Sequence, residues 1–143
     1  MTLKEIKKDL RRIQHFERVL KSKRIIENQC QERIEYLKTL GGDSDTGERD
    51  RIVYELEATI KQLNIPDFIR RGTVLKNRYI QYINMLEEQD QALINLYYIN
   101  CFGTQGKIAR MFNYSEEWVK KRLHSACENL LNIINKANGI EGA

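Results

Sequence analysis

With 143 residues, 41% hydrophobic and 31% charged, the chain can bury one ordinary core, or a small core with a helical arm. One proline and 8 glycines leave few helix breaks, and no stretch sustains the alternation of a strand, so long helices are expected and β folds are disfavoured. The net charge of +4 permits a polyanionic partner without requiring one.

Chain order begins with a capping box, in which Thr2 and Glu5 can each satisfy the other's backbone N–H. Apolar residues then recur at spacings of mostly three and four: Leu3, Ile6, Leu10, Ile13, Phe16, Val19, Ile26, Cys30, Leu37 and Leu40. That pattern predicts one long amphipathic helix of heptad type, interrupted by Lys23 and Arg33 and ending at Gly41-Gly42. Residues 41–50, GGDSDTGERD, read as a loop, with Asp45 and Glu48 available to cap a second helix carrying Ile52, Val53, Leu56, Ile60 and Leu63. Two amphipathic helices on a short polar loop should fold back as a hairpin, and Pro66 should interrupt the path near Asn64-Ile65.

Beyond Asp67 the pattern predicts shorter helices. One holds Phe68, Val74, Leu75, Tyr79, Ile83 and Leu86, with a bend at Gly72; another spans about Glu88–Ile99 and is stopped by Gly103. A short helix from Thr104 to Phe112, a turn at Asn113-Tyr114 and a last helix from Ser115 to about Asn135 complete the series, leaving a frayed tail. The last helix has an apolar stripe at Val119, Leu123, Ala126, Leu130, Ile133 and Ala137, which can pack on the N-terminal hairpin or on a second copy.

The segment with chemical content is TQGKIARMFNYSEEWVKKRLHSA, residues 104–126. Two short helices crossing steeply around a tight turn need a small residue where they meet, apolar plugs in the angle, a left-handed residue in the turn and an N-cap. Ala109 is the small residue; Ile108, Phe112, Tyr114 and Val119 are the plugs; Asn113 tolerates the left-handed backbone; Ser115 is the cap. The second helix would then offer Glu116, Glu117, Lys120, Lys121 and His124 to a major groove. Lys120 and Lys121 can bind phosphates or guanine edges, a glutamate can accept from cytosine, and Arg122 with Lys107 or Arg110 is expected to clamp phosphates rather than read bases. With Thr104, these ten residues from 104 to 124 form the expected DNA-binding set. The bland alternative is a solvated charged face on a plain bundle.

Other constellations carry less. Cys30, Cys101 and Cys127 are odd in number and widely spaced, which opposes a disulfide framework or zinc knuckle and fits free thiols in a reducing cytoplasm. His124 and Cys127 share a helix face, yet further metal ligands are missing; Glu87, Glu88 and Asp90 most simply decorate a helix start. Tyrosines 79, 82, 97 and 98 fall at core spacing, and Trp118 can either plug the fold or touch a thymine methyl. No phosphate loop or catalytic triad pattern is present, so no enzymatic activity, cofactor or metal is expected. The opening MTLKEIKKDL lacks a signal-peptide core, and no run reaches the roughly 18 apolar residues of a membrane helix; a cytoplasmic protein off the bilayer is expected.

Residues from about Lys4 to Leu130 resemble the RinA/ArpU-like phage transcriptional regulators, whose C-terminal part is similar to region 4 of bacterial sigma factors. The resemblance rests on LKEIKKDL, the mid-chain glycine loop and, most specifically, DQALINLYYINCFGTQGKIARMFNYSEEWVKKRLHSA. It implies a switch for late or packaging genes, double-stranded DNA bound by the C-terminal helices, and a contact with RNA polymerase. Two departures stand out. Arg122 holds a place that is apolar in the family, so either the helix rotates to bury Leu123 or Arg122 snorkels; Gly106 inside the first helix of the motif should admit another backbone.

The expected architecture is therefore all-α, with a helical hairpin arm over 1–66 for oligomerisation or partner binding, a sigma region 4-like helix-turn-helix bundle over 67–135 and a flexible tail over 136–143. A small terminase-type packaging subunit and a helical adaptor or inhibitor without DNA are the alternative functions.

Overall fold

The computed structural model describes residues 1–40 and 46–139, and every described element is helical. Helix α1 spans Leu3–Thr39, α2 Thr46–Leu63, α3 Ile65–Ile83, α4 Glu88–Ile94, α5 Gln105–Phe112 and α6 Glu116–Ala137; a π-helical turn, Asn95–Ile99, continues α4. The expected helix end at Gly41-Gly42, the cap at Asp45 and the last residues of the tail lie outside the described residues. Lys136 and Ala137, expected in a frayed tail, still belong to α6.

The long first helix forms as its sequence dictates. Glu5 N–H donates to Thr2 Oγ1 at 3.3 Å and Thr2 N–H donates to Glu5 Oε2 at 3.2 Å, the reciprocal capping box.

Two compact units divide the chain: Met1–Arg18 with residues from Gly72 onward, and Val19–Arg71. The sequence pattern places one boundary at 66/67, between an arm and a DNA-binding part. The division differs because Ile6, Leu10 and Ile13 are sealed in the same core as Tyr79, Ile83, Leu93, Ile108, Val119 and Leu130. A helix whose first turns bury that much apolar surface belongs energetically to the core it enters, whatever its continuation does.

Within Val19–Arg71, the later part of α1 and α2 run antiparallel. Lys23 Nζ donates to the Leu63 carbonyl at 2.7 Å, so a residue some four turns before the end of α1 meets the last residue of α2. Lys23, which interrupts the apolar pattern, thus caps a free helix C-terminus, and its ammonium sits 4.7 Å from the centre of the Phe68 ring. Cys30, Ile34, Leu37 and Ile65 are buried in this unit. Asn64, with φ 49°, ends α2, and Pro66 falls in the first turn of α3, where its missing N–H is no loss.

In the other unit, α3 runs without interruption through Gly72, where a bend was expected. The glycine instead makes room: a Cβ there would lie 1.8 Å from Phe16 Cε2. The α3 backbone and the Phe16 ring therefore touch directly, which joins α1 to α3. Tyr79 adds a hydroxyl that donates to Asp9 Oδ2, and burial together with that carboxylate raises its pKa. Gly72→Ala should lower the stability of the folded chain by about 2 kcal/mol, through overpacking against the Phe16 ring, three of whose atoms lie within 2.5 Å of where the Cβ would stand. Urea unfolding of the variant measures it; an unchanged midpoint would show that Phe16 does not rest on this backbone.

Candidate nucleic-acid interface

Helices α5 and α6 meet around a turn built as the sequence requires. Thr104 caps α5 by accepting from Lys107 N–H at 3.2 Å. Asn113 takes the left-handed conformation, φ 62° and ψ 38°, and Tyr114 N–H closes back on the Ala109 carbonyl at 2.9 Å. Ser115 then caps α6, accepting from Trp118 N–H at 3.1 Å. Ile108, Ala109 and Val119 are buried in the angle and Phe112 packs beside them.

Three expectations for this region are corrected. Tyr114 does not plug the angle; it is half exposed and stacks on Trp118, ring centres 4.1 Å apart. The left-handed residue that ends the helical run before α5 is Cys101, φ 48°, not Gly103. A Cβ on Gly103 would meet the Lys107 side chain at 2.5 Å, so that glycine lets Lys107 fold back and set its ammonium 4.6 Å from the centre of the Phe102 ring. Gly106 admits no second backbone either. Its neighbour is the Glu116 carboxylate, 3.3 Å from where a Cβ would stand.

Of the ten residues expected to meet DNA, Glu116, Glu117, Lys120, Lys121 and His124 lie exposed on the N-terminal half of α6, and Lys107 and Arg110 are exposed on α5. Thr104 and Ser115 are exposed but spend their hydroxyls on caps. Lys121 Nζ stands 3.9 Å from Glu117 Oε1 in a solvated pair, which leaves its charge usable.

Arg122, expected among the phosphate clamps, is engaged with two carboxylates of its own chain. Its Nε lies 2.9 Å from Oδ1 of Asp90, a residue with 0% exposure, and its Nη2 lies 3.4 Å from Glu87 Oε2. Asp90 Oδ2 also accepts from Asn129 Nδ2 at 2.9 Å. Leu123 is buried, as one alternative raised by the sequence requires, but Arg122 does not snorkel to water; it reaches sideways to the buried Asp90 of α4. Asp90 is not helix decoration. Sequence reasoning missed it, although a cation in an apolar register position is the signal that a buried acid waits nearby.

A second missed set comes from α1. Lys7 Nζ donates to His124 Nδ1 at 2.7 Å. An ammonium has no lone pair, so Nδ1 accepts, and the ring proton sits on Nε2, which faces Glu128 Oε1 at 3.0 Å. Both ring nitrogens of His124 are thereby occupied. Buried Gln14 donates to the Tyr97 carbonyl at 2.9 Å, a group left open because the π-helical turn sends the Asn100 N–H to Asn95 and the Phe102 N–H to Leu96. Cys127 is enclosed beside Tyr98; burial pushes its thiol up to about 11 and raises the tyrosine as well.

This geometry defines a helix-turn-helix with an exposed, cation-bearing second helix. Residues 82–131 match the family described as Sigma-70, region 4. The C-terminal part of the chain is accordingly a sigma region 4-like helix-turn-helix, the kind of domain that binds DNA. No curated protein and no solved structure matches the chain. Among the described residues no helix is long and apolar enough to cross a membrane.

Asp90→Ala should cost about 3 kcal/mol, because it removes the buried carboxylate that the partly buried Arg122 guanidinium and the Asn129 amide both bond to. Glu87→Ala, which removes an exposed partner of the same arginine, should cost about 0.5 kcal/mol or less. Equal losses in chemical denaturation would mean that the pair is not buried.

Proposed function

We propose that the protein is a sequence-specific, double-stranded DNA-binding transcription regulator, of the kind that switches on phage late genes, reading a major groove with the N-terminal half of α6. The carrying observation is the Ser115-capped start of α6, which turns Glu116, Glu117, Lys120, Lys121 and His124 outward while Val119 and Leu123 face the core. Lysines at these places suit guanine edges and phosphates; glutamates suit cytosine amino groups and weaken non-specific attraction to the backbone. The match to Sigma-70, region 4 supports the same reading and, with the resemblance to phage regulators, suggests RNA polymerase as the protein partner.

Lys120→Ala combined with Lys121→Ala should weaken DNA binding and flatten the plot of log K against log salt by about 1 for each phosphate that is no longer neutralised. An unchanged slope would remove α6 from the interface. Footprinting over the genomic neighbourhood of the gene should reveal a protected operator of two half-sites or one extended site.

The unit Val19–Arg71 serves in this reading as the oligomerisation or partner-binding arm. Ile25, Ile26, Tyr36, Leu40 and Tyr54 are each more than two-fifths exposed, an apolar load that favours a second helical surface. Sedimentation should give a dimer or small oligomer at micromolar concentration, shifted toward monomer by Ile25→Lys with Ile26→Lys. A monomer at every concentration would discard the oligomer, and a large closed ring would favour a packaging subunit over a regulator.

A further inference from the structure

Next to the exposed face of α6 lies an open cleft of about 640 Å³. It is lined by the recognition face, with Lys120, Lys121 and His124, and by the start of α1, with Lys7 and Arg11, the two meeting at the 2.7 Å hydrogen bond from Lys7 to His124. These walls come from residues more than a hundred positions apart and belong to the same compact unit. We propose that the cleft is a backbone clamp: the sugar-phosphate strand bordering the groove read by α6 runs through it, held there by Lys7 and Arg11. The proposal rests on the reading that α6 meets DNA, and it adds a binding element that lies outside the helix-turn-helix.

The chemistry of the walls favours a continuous polyanion. Four cations line the cleft, Lys7, Arg11, Lys120 and Lys121, against two carboxylates, Glu117 and Glu128. Glu117 lies 3.9 Å from Lys121 and Glu128 lies 3.0 Å from the uncharged His124 ring, so four cations against two carboxylates leave the lining a net excess of two positive charges. The cleft is open to solvent, so a strand can enter and leave, as a backbone must and a discrete ligand need not. Lys7 and Arg11 are four residues apart on one helix, which puts them on one face at a spacing of about 6 Å.

Their placement is rigid. Ile6, Leu10 and Ile13 have at most 1% exposure, so the first turns of α1 are anchored between the two cations and on either side of them. Gln14 ties the same helix to the Tyr97 carbonyl, and Lys7 reaches His124 directly. Cations held by a packed helix lose little side-chain and backbone freedom on meeting a phosphate, which is where preorganised sites gain over flexible arms.

The test compares salt dependence of binding to a short mixed-sequence duplex for the full chain and its variants. Lys7→Ala with Arg11→Ala should flatten the log–log slope by about 2, as Lys120→Ala with Lys121→Ala does, since each neutralised phosphate contributes about 0.9. Lys21→Ala with Arg24→Ala removes two exposed cations of α1 that do not line the cleft and should leave the slope unchanged. Arg11→Gln alone, which keeps the hydrogen bond from Lys7 to His124, should flatten it by about 1 and guards against a folding defect in the double variant. A wild-type slope in Arg11→Gln and in the Lys7/Arg11 variant, beside a flattened slope for the Lys120/Lys121 variant, overturns the clamp and leaves the recognition helix standing. Equal flattening by the Lys21/Arg24 control reduces the effect to net charge and overturns the clamp as well. Salt-insensitive or absent binding by the wild-type chain overturns both readings together.

Discussion

Asp90 is wholly withdrawn from water on a helix of two turns, and a carboxylate in that position requires a cation. Arg122 brings one from α6, and Asn129 of the same helix holds the second oxygen. The consequence is rotational. Side chains around a helix are locked to one another, so turning Arg122 toward α4 turns Lys120 and Lys121 elsewhere, and both are exposed. Paired buried charges often add little net stability over apolar residues of the same volume. Their geometric demand is strict, and here it sets which face of α6 is left exposed.

The start of α1 is part of the same construction. It fills the core with Ile6, Leu10 and Ile13, supplies Phe16 to the gap at Gly72, and answers the carbonyl opened by the π-helical turn with Gln14. A π-helical turn misaligns one carbonyl from its own helix, and such a group stays buried at low cost only when a donor arrives from outside. The pairing of Gln14 with Tyr97 satisfies both members of what would otherwise be two buried orphans. It also brings Lys7 beside His124, so structural and charge roles share one helix.

Charge on α6 is balanced rather than maximal. Glu116 and Glu117 favour the helix N-terminus through the macrodipole and repel phosphates, while Lys120 and Lys121 one turn later attract them. In the proposed reading, this balance partly cancels the sequence-independent attraction to phosphates and leaves more of the binding to contacts with bases.

Local rules read directly from the sequence decided much of this protein. The Thr2–Glu5 box, the left-handed Asn113, the Ser115 cap, the small residue Ala109 and the plugs Ile108 and Val119 are all read from residue type at local spacing, and the structure carries each of them. Tertiary packing alone decided the rest: Asp90 beside Arg122, Gln14 on Tyr97, Lys7 on His124, and Gly72 under Phe16 rather than at a bend. Each of these joins residues 32 to 117 positions apart. Helical periodicity states which side of a helix is apolar, but partners at such separations follow from how the helices are laid against one another, and no local spacing encodes that.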